Sequence, residues 1–242
     1  MKDIIFISDL HLSPERPEII DLFIRFANEI ASTADTLYIL GDFLEVWWGD
    51  DDPAIGYQGV FDCLAELASI KNTEIFLMHG NRDFMIGNRL AERCHFKIID
   101  DPLKIMIQGR DALLMHGDTL CTDDVQYQQF RQMVRNPQWQ QQALSKTLEE
   151  RLQLAKSIRE QSKKSTNEKH EYIMDVNQEA TDKAFIDNHV DLMIHGHTHR
   201  PAIHHKTING IDTTRIVLGD WYETGSYLRI KDSSPFVLQT YQ

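Results

Sequence analysis

The chain of 242 residues has only three cysteines, Cys63, Cys94 and Cys121. An odd number with no zinc-type spacing excludes a disulfide framework and points to a reducing compartment. No apolar run approaches the roughly 18 residues that a spanning helix needs. The first residues lack a basic stretch, an apolar stretch and a cleavage site in series, so no export signal is expected. The expectation is a soluble or peripheral protein. Positive charge is also scarce: 25 Lys and Arg stand against 37 Asp and Glu, a formal charge of −12. That balance repels phosphate backbones and argues against nucleic acid as a partner. No internal repeat and no low-complexity linker is present. No Ser or Cys sits in a recognisable nucleophile elbow, so covalent catalysis is not suggested.

What is present is a pattern repeated five times. Short apolar runs stop and deliver Asp, Asn or His beside Gly or another small residue. The deliveries are Ser8-Asp9-Leu10-His11, Gly41-Asp42, Gly80-Asn81-Arg82-Asp83, His116-Gly117-Asp118 and His195-Gly196-His197-Thr198-His199. One such Asp reads as an ordinary loop residue. Five in series imply that five strand ends bring one polar cluster together, because ligand sites in α/β sheets form beyond the carboxyl ends of strands.

The spacing predicts strands at 4–7, 36–40 and 75–78, and helices at 17–30, 53–70 and 86–93. A hairpin is expected from 103–107 and 112–115, turning through Gln108-Gly109-Arg110-Asp111. Further strands are expected at 191–194, 202–205, 213–218, 226–230 and 236–240, with a tight turn at Asn209-Gly210. Strand–helix alternation indicates an α/β sheet. Between 123 and 188 no strand is expected, and the sequence is polar, Gln-rich and helical, with a break at Asn136-Pro137. From 131 to 170, nine Lys and Arg face four Asp and Glu, so this segment is basic inside an acidic chain. Most of those charges read as a solvated face. The sharper reading is a helical cap over an anionic substrate. The chain therefore divides into a core, 1–122 and 176–242, and a helical lid insertion, 123–175.

Asp and Asn oxygens mixed with imidazoles, without thiolate, suit Mn²⁺, Fe²⁺ or Zn²⁺. Asp9, His11, Asp42, Asn81, His116, His195 and His197 are too many for one ion, and two ions bridged by a carboxylate would use them all. His79 and His199 are read as structural. His170, His189, His204 and His205 are read as surface residues. Asp83 and Asp118 are candidates to accept hydrogen bonds from ligand imidazoles, against plain loop solvation. Trp47, Trp48, Phe84, Met85, Phe130, Met133 and Trp139 are candidates for an apolar chamber, with ordinary core as the alternative.

The motifs Asp9-x-His11, Gly41-Asp42, Gly80-Asn81-Arg82-Asp83, His116-Gly117 and His195-Gly196-His197 resemble those of the calcineurin-like metallophosphoesterase family. The resemblance implies an α/β (α+β), four-layer sandwich of two mixed β-sheets flanked by helices. It implies Asp9, His11 and His197 around a first metal, Asn81, His116 and His195 around a second, and Asp42 between them. One position departs from the pattern: Arg82 stands where the family usually has His. Arg cannot give up a proton, but it can clamp a phosphate. The expected leaving group is therefore already a stable anion, as in a pyrophosphate.

That variant, with Gly49-Asp50-Asp51-Asp52, the stretch from Met115 to Asp124, Ile173-Met174-Asp175-Val176-Asn177-Gln178 and Val217-Leu218-Gly219, is similar to the branch of the family that hydrolyses UDP-2,3-diacylglucosamine in lipid A biosynthesis. The branch implies two Mn²⁺ ions, attack on the α-phosphate, a helical lid and peripheral attachment to the cytoplasmic face of the inner membrane. Its substrate contacts fall on Asn81, Arg82, Asp124, Ser162, Thr166, Lys169 and His195, and its catalytic positions on Asp42, Asn81, Arg82 and His116. Two other functions compete. A nucleotide or phosphoprotein phosphoesterase would need an open site, and the basic insertion and Arg82 count against it. A scaffold without catalysis would lack a ligand, and none is missing.

Overall fold

The strands β1 (Ile4–Ile7), β2 (Thr36–Leu40) and β3 (Glu74–Met78) are apolar at nearly every position. Parallel strands of that kind are stable only where both faces are covered. In the computed structural model they are. The structure describes residues 2–168, 175–231 and 234–242, with backbone alone over 161–168. Alternation sends Ile5, Ile7, Leu37, Ile39, Ile75 and Leu77 to one face. There they meet the helices α1 (Pro17–Glu29), α2 (Gln58–Ser69) and α3 (Asn88–Cys94). Phe6, Tyr38, Leu40 and Met78 point the other way, into a second apolar layer.

β1, β2 and β3 run parallel and are joined by β4 (Phe96–Ile99) on one side and by antiparallel β10 (Gly225–Ile230) and β11 (Leu238–Tyr241) on the other. The order in this six-stranded sheet is β11-β10-β1-β2-β3-β4. The second sheet contains β5 (Leu103–Ile107), β6 (Arg110–Leu114), β7 (Leu192–His195), β8 (Ala202–Ile208) and β9 (Ile211–Val217), in the order β5-β6-β7-β9-β8. Leu114, Ile194 and Ile216 face the first sheet. Leu113, Met115 and Met193 face outward and pack with Phe185 of α7 (Gln178–Asn188). The result is four layers, helices on sheet on sheet on helix, as the family resemblance implies.

Local differences from the sequence reading have local causes. α2 begins at Gln58 rather than at Pro53, because Ala54 (φ 57°) and Gly56 (φ 88°) are left-handed and cannot start a helix. β4 was not expected. His95 ends α3 in the left-handed region (φ 57°), so the chain enters a strand with no intervening turn signal. The β5–β6 turn is the two residues Gln108-Gly109 (φ 51° and 79°), and pairing resumes at Arg110. Asn209-Gly210 (φ 51° and 82°) makes the expected tight turn between β8 and β9.

Among the described residues, α4 (Val125–Val134), α5 (Pro137–Leu144) and α6 (Leu148–Glu168) come between β6 and α7. Asn136 caps α5 and Pro137 opens it, which places the expected break there. Val134, Ala143 and Ala155 of these helices pack on Trp48, Phe84 and Met85 of the core. The arginines here act as anchors rather than as a solvated face. Arg151 is buried, donates to the Trp48 carbonyl (2.7 Å) and pairs with Asp51. Arg135 donates to the Gly80 carbonyl (2.8 Å), and Arg131 to Asp118 (2.7 Å).

Ile194 is fully buried between the two sheets. Ile194→Ala should lower stability by about 2–5 kcal/mol, read as a lower urea midpoint with an unchanged slope.

Candidate metal centre

The ends of β1, β2, β3, β6 and β7 meet at one edge of the sandwich. The backbone there is held in an unusual state. Asp9, His11, Asp42, His197 and His199 all lie in the left-handed region, at φ 55°, 48°, 51°, 70° and 55°. Residues with a Cβ rarely adopt it, and such strain gathers where side chains must be aimed. Close backbone approach is built in as well. A Cβ on Gly80 would sit 2.1 Å from Oδ1 of Asp42, and one on Gly196 would sit 2.2 Å from Oδ2 of Asp9.

Two groups of donor atoms result. In the first, Nε2 of His199 lies 3.3 Å from Nε2 of His11 and 3.4 Å from Oδ1 of Asp9. In the second, Oδ1 of Asn81 lies 3.1 Å from Nε2 of His116 and 3.0 Å from Nδ1 of His197. Asp42 serves both: Oδ2 is 3.7 Å from Nε2 of His11, and Oδ1 is 3.9 Å from Nε2 of His116. Oδ2 of Asp9 accepts from Ser8 and from the His197 backbone, but its Oδ1 is buried with no hydrogen-bond partner. An unpartnered buried carboxylate oxygen is costly unless a cation meets it. With imidazole and oxygen donors around it and no thiolate, the group fits a divalent ion.

Charge at the site is tightly arranged. Burial pushes the His116 imidazole down, but Asp42, Asp118 and Asp9 carry it up to about 9. Burial, with the His116 charge, pushes His197 down to about 4. Burial and the nearby Asp42 push the Asp83 carboxyl up to about 6.

The structure corrects the reading of the histidine motif by two residues. His195 is fully buried but is not in the cluster. Its Nδ1 lies 2.9 Å from the Gly196 carbonyl and its Nε2 3.1 Å from Arg215. The reason is strand alternation. β7 runs through His195, which pairs with Val217, so its ring leaves the sheet on the outer face with Met193. Only after Gly196 does the chain turn its rings inward. His197 thus takes the place expected of His195, and His199, read as structural, takes the place expected of His197. A count of alternation from Ile194, together with the Gly before His197, carried that signal.

A profile of the calcineurin-like phosphoesterase family matches residues 2–201. The chain belongs to this family. The UDP-2,3-diacylglucosamine hydrolase of Stenotrophomonas maltophilia (strain R551-3) is 48% identical over 243 residues, covering 98% of this chain and 97% of that protein. The enzyme of the same name from Marinobacter nauticus is 46% identical over 235 residues, covering 97% and 96%. A solved archaeal phosphodiesterase superposes with a TM-score of 0.50 at 16% identity, covering 98% of this chain and 99% of its own, which supports the fold alone. Family membership implies a divalent metal, and the donor set described above fits one.

Several neighbours of the cluster escaped the sequence reading. Nδ1 of His11 lies 2.9 Å from Oε2 of Glu45. Tyr222 stacks on His11 and Tyr127 on His197. None of these stands in a strand-end motif, so only the fold brings them in. The carboxylate nearest the outer nitrogen of His11 is that of Glu45, and neither Asp83 nor Asp118 takes that place. Asp83 accepts backbone N–H groups of Phe43 (2.8 Å), Leu44 (3.3 Å) and Gly80 (2.8 Å), which locks two motif loops together. Asp118 accepts from Tyr127 (2.5 Å) and Arg131 (2.7 Å). His79 is structural as expected, donating to the Ile86 carbonyl at 2.8 Å.

Of the expected apolar chamber, Trp48, Phe84, Met85, Phe130 and Trp139 come together. Trp47 belongs instead to the main core, and Met133 is exposed. Asp124 caps α4 through the Tyr127 N–H (3.0 Å). The side chains of Ser162 and Thr166, and all of Lys169 and His170, lie outside the described residues.

A ligand imidazole must be neutral to hold a metal. With its value raised to about 9, His116 carries a proton at neutral pH in the metal-free protein. Divalent metal must displace that proton, so affinity should fall as pH drops below about 9. Calorimetric titrations in buffers of different ionisation enthalpy should show net proton release at pH 7. An equal heat in all buffers contradicts it.

Proposed function

We propose that the protein hydrolyses the pyrophosphate of UDP-2,3-diacylglucosamine, with water attacking the α-phosphorus. The P–O bond to the sugar phosphate breaks, giving UMP and 2,3-diacylglucosamine 1-phosphate (lipid X). One juxtaposition carries this reading. Asn81 and Arg82 stand at the ionic cluster, and Phe84 and Met85, a few residues on, pack with Trp48 and with Phe130 and Trp139 of the helical insertion. A substrate with two phosphates and two acyl chains needs both surfaces side by side. The names of the close relatives support the same reading.

Two Mn²⁺ ions are the cofactor we assign. Asp9, His11 and His199 would hold one, Asn81, His116 and His197 the other, and Asp42 both. When bound, such ions supply an activated water and neutralise charge on the phosphoryl group. The protein's own part is placement. The Leu40 carbonyl accepts from Nδ1 of His116 (2.9 Å), which fixes the ring with Nε2 toward Asn81. The Arg82 backbone N–H donates to Asp42 (2.8 Å), and its Nε is buried without a partner. A guanidinium so placed is ready for an anion and balances charge that grows on the phosphoryl oxygens. It gives no proton to the leaving group, and a sugar phosphate needs none.

The segment 123–175 acts as a lid in this reading, with Asp124, Ser162, Thr166 and Lys169 on the head group and His197 in the part first given to His195. The protein works as a peripheral protein at the cytoplasmic face of the inner membrane. No helix among the described residues is long and apolar enough to span a membrane. Exposed Val125, Met133, Leu144 and Leu152 share the insertion with its lysines.

His197→Ala and His199→Ala should each reduce bound Mn²⁺ and cut kcat/KM by about a hundredfold or more, whereas His195→Gln should retain metal. Elemental analysis beside turnover of UDP-diacylglucosamine decides it, and loss of metal in His195→Gln alone restores the first register. Trp139→Ala should raise KM for the diacylated substrate about tenfold, since a lost buried aromatic contact costs on the order of 1–3 kcal/mol. Hydrolysis of bis-p-nitrophenyl phosphate should be unchanged, and equal loss on both substrates argues against an acyl surface.

A further inference from the structure

Glu45 stands on no motif, yet the backbone places it with care. The N–H groups of His11 and Leu12 donate to the carbonyls of Asp42 and Phe43 (2.9 and 3.0 Å), and the Glu45 N–H donates to the Leu12 carbonyl (2.9 Å). This short ladder fixes the loop after β2 against the loop after β1. It sets the Glu45 side chain, 15% exposed, against His11, which is 3% exposed. Each carboxylate oxygen then has its own partner. Oε2 lies 2.9 Å from Nδ1 of His11, and Oε1 pairs with the Arg159 guanidinium on α6. The other ring nitrogen of His11 faces Asp42 and His199.

We infer that Glu45 is a positioning residue. It fixes the His11 imidazole with Nε2 toward the cation site and, through its second oxygen, ties that imidazole to the seat of α6. The chemistry is direct. An imidazole that gives its Nδ1 proton to a carboxylate keeps the Nε2 lone pair free for a metal, and such outer partners are worth 10- to 100-fold in metal affinity. The same carboxylate is half of the ion pair that holds α6 on the core. Withdrawal of α6 removes Arg159 and leaves the charge of Glu45 to His11 alone. Docking of the insertion and orientation of a metal-site ring therefore share one side chain. The inference rests on reading Asp9, His11 and His199 as a cation site.

Glu45→Gln separates the two roles, because an amide oxygen still accepts from Nδ1 but carries no charge for Arg159. Mn²⁺ affinity should fall at least tenfold in Glu45→Ala and return to within about threefold of the unmutated protein in Glu45→Gln. Hydrogen exchange across 148–160 should quicken in Glu45→Gln, in Glu45→Ala and in Arg159→Met alike, with melting curves confirming that each variant is folded. Unchanged Mn²⁺ affinity in Glu45→Ala, or equal weakening in both Glu45 variants, overturns the role on His11. Unchanged exchange in Glu45→Gln overturns the tie to α6. If the unmutated protein binds no Mn²⁺, the cation site fails and the inference fails with it. If it binds and Glu45→Ala matches it, only the inference fails.

Discussion

Asp42 is a buried carboxylate whose two oxygens face two different sets of imidazoles. A charge taken out of water persists only where every lone pair is answered. Much of the local structure follows from meeting that demand. The loop after β3 bends so that the Arg82 N–H reaches Asp42, and Gly80 is there because no side chain would fit beside it. Asp83, on the same loop, returns three backbone hydrogen bonds that hold the β2 and β3 loops together. The strained, left-handed residues around it are the cost of aiming carboxylates and imidazoles at one point from several strands.

The sandwich supplies the rigidity this requires. The first sheet is covered on both faces and the second packs its inner face on the first, so the strand ends cannot shift without opening an apolar layer. The insertion is attached differently. Its helices are joined to the core through a small aromatic cluster and a set of arginines bound to carbonyls and carboxylates. The apolar part of this attachment is small beside the continuous layers of the sandwich, so the insertion is the part of the molecule suited to part from the site. That division, a fixed ionic cluster beneath a separately anchored cover, suits a substrate with a charged middle and apolar tails.

Much of this was legible in the sequence. Apolar runs gave the strands, and the Asp, Asn and His at their ends named Asp9, His11, Asp42, Asn81, His116 and His197 as neighbours. A change in period and charge marked where the helical insertion begins. These features are local: a side chain's polarity and its distance from a strand end are fixed by the residues beside it. What only the tertiary structure decided concerns direction and partnership. His195 and His199 exchange roles because a pleat and a left-handed turn set which way each ring leaves the backbone, and composition is blind to that. Glu45, Tyr127 and Tyr222 join the cluster from segments far apart in sequence, and the arginines of the insertion prove to be anchors because acids and carbonyls of the core lie opposite them. The sequence by itself determined which chemistry is carried to the strand ends; packing across the chain decided which of those groups face one another.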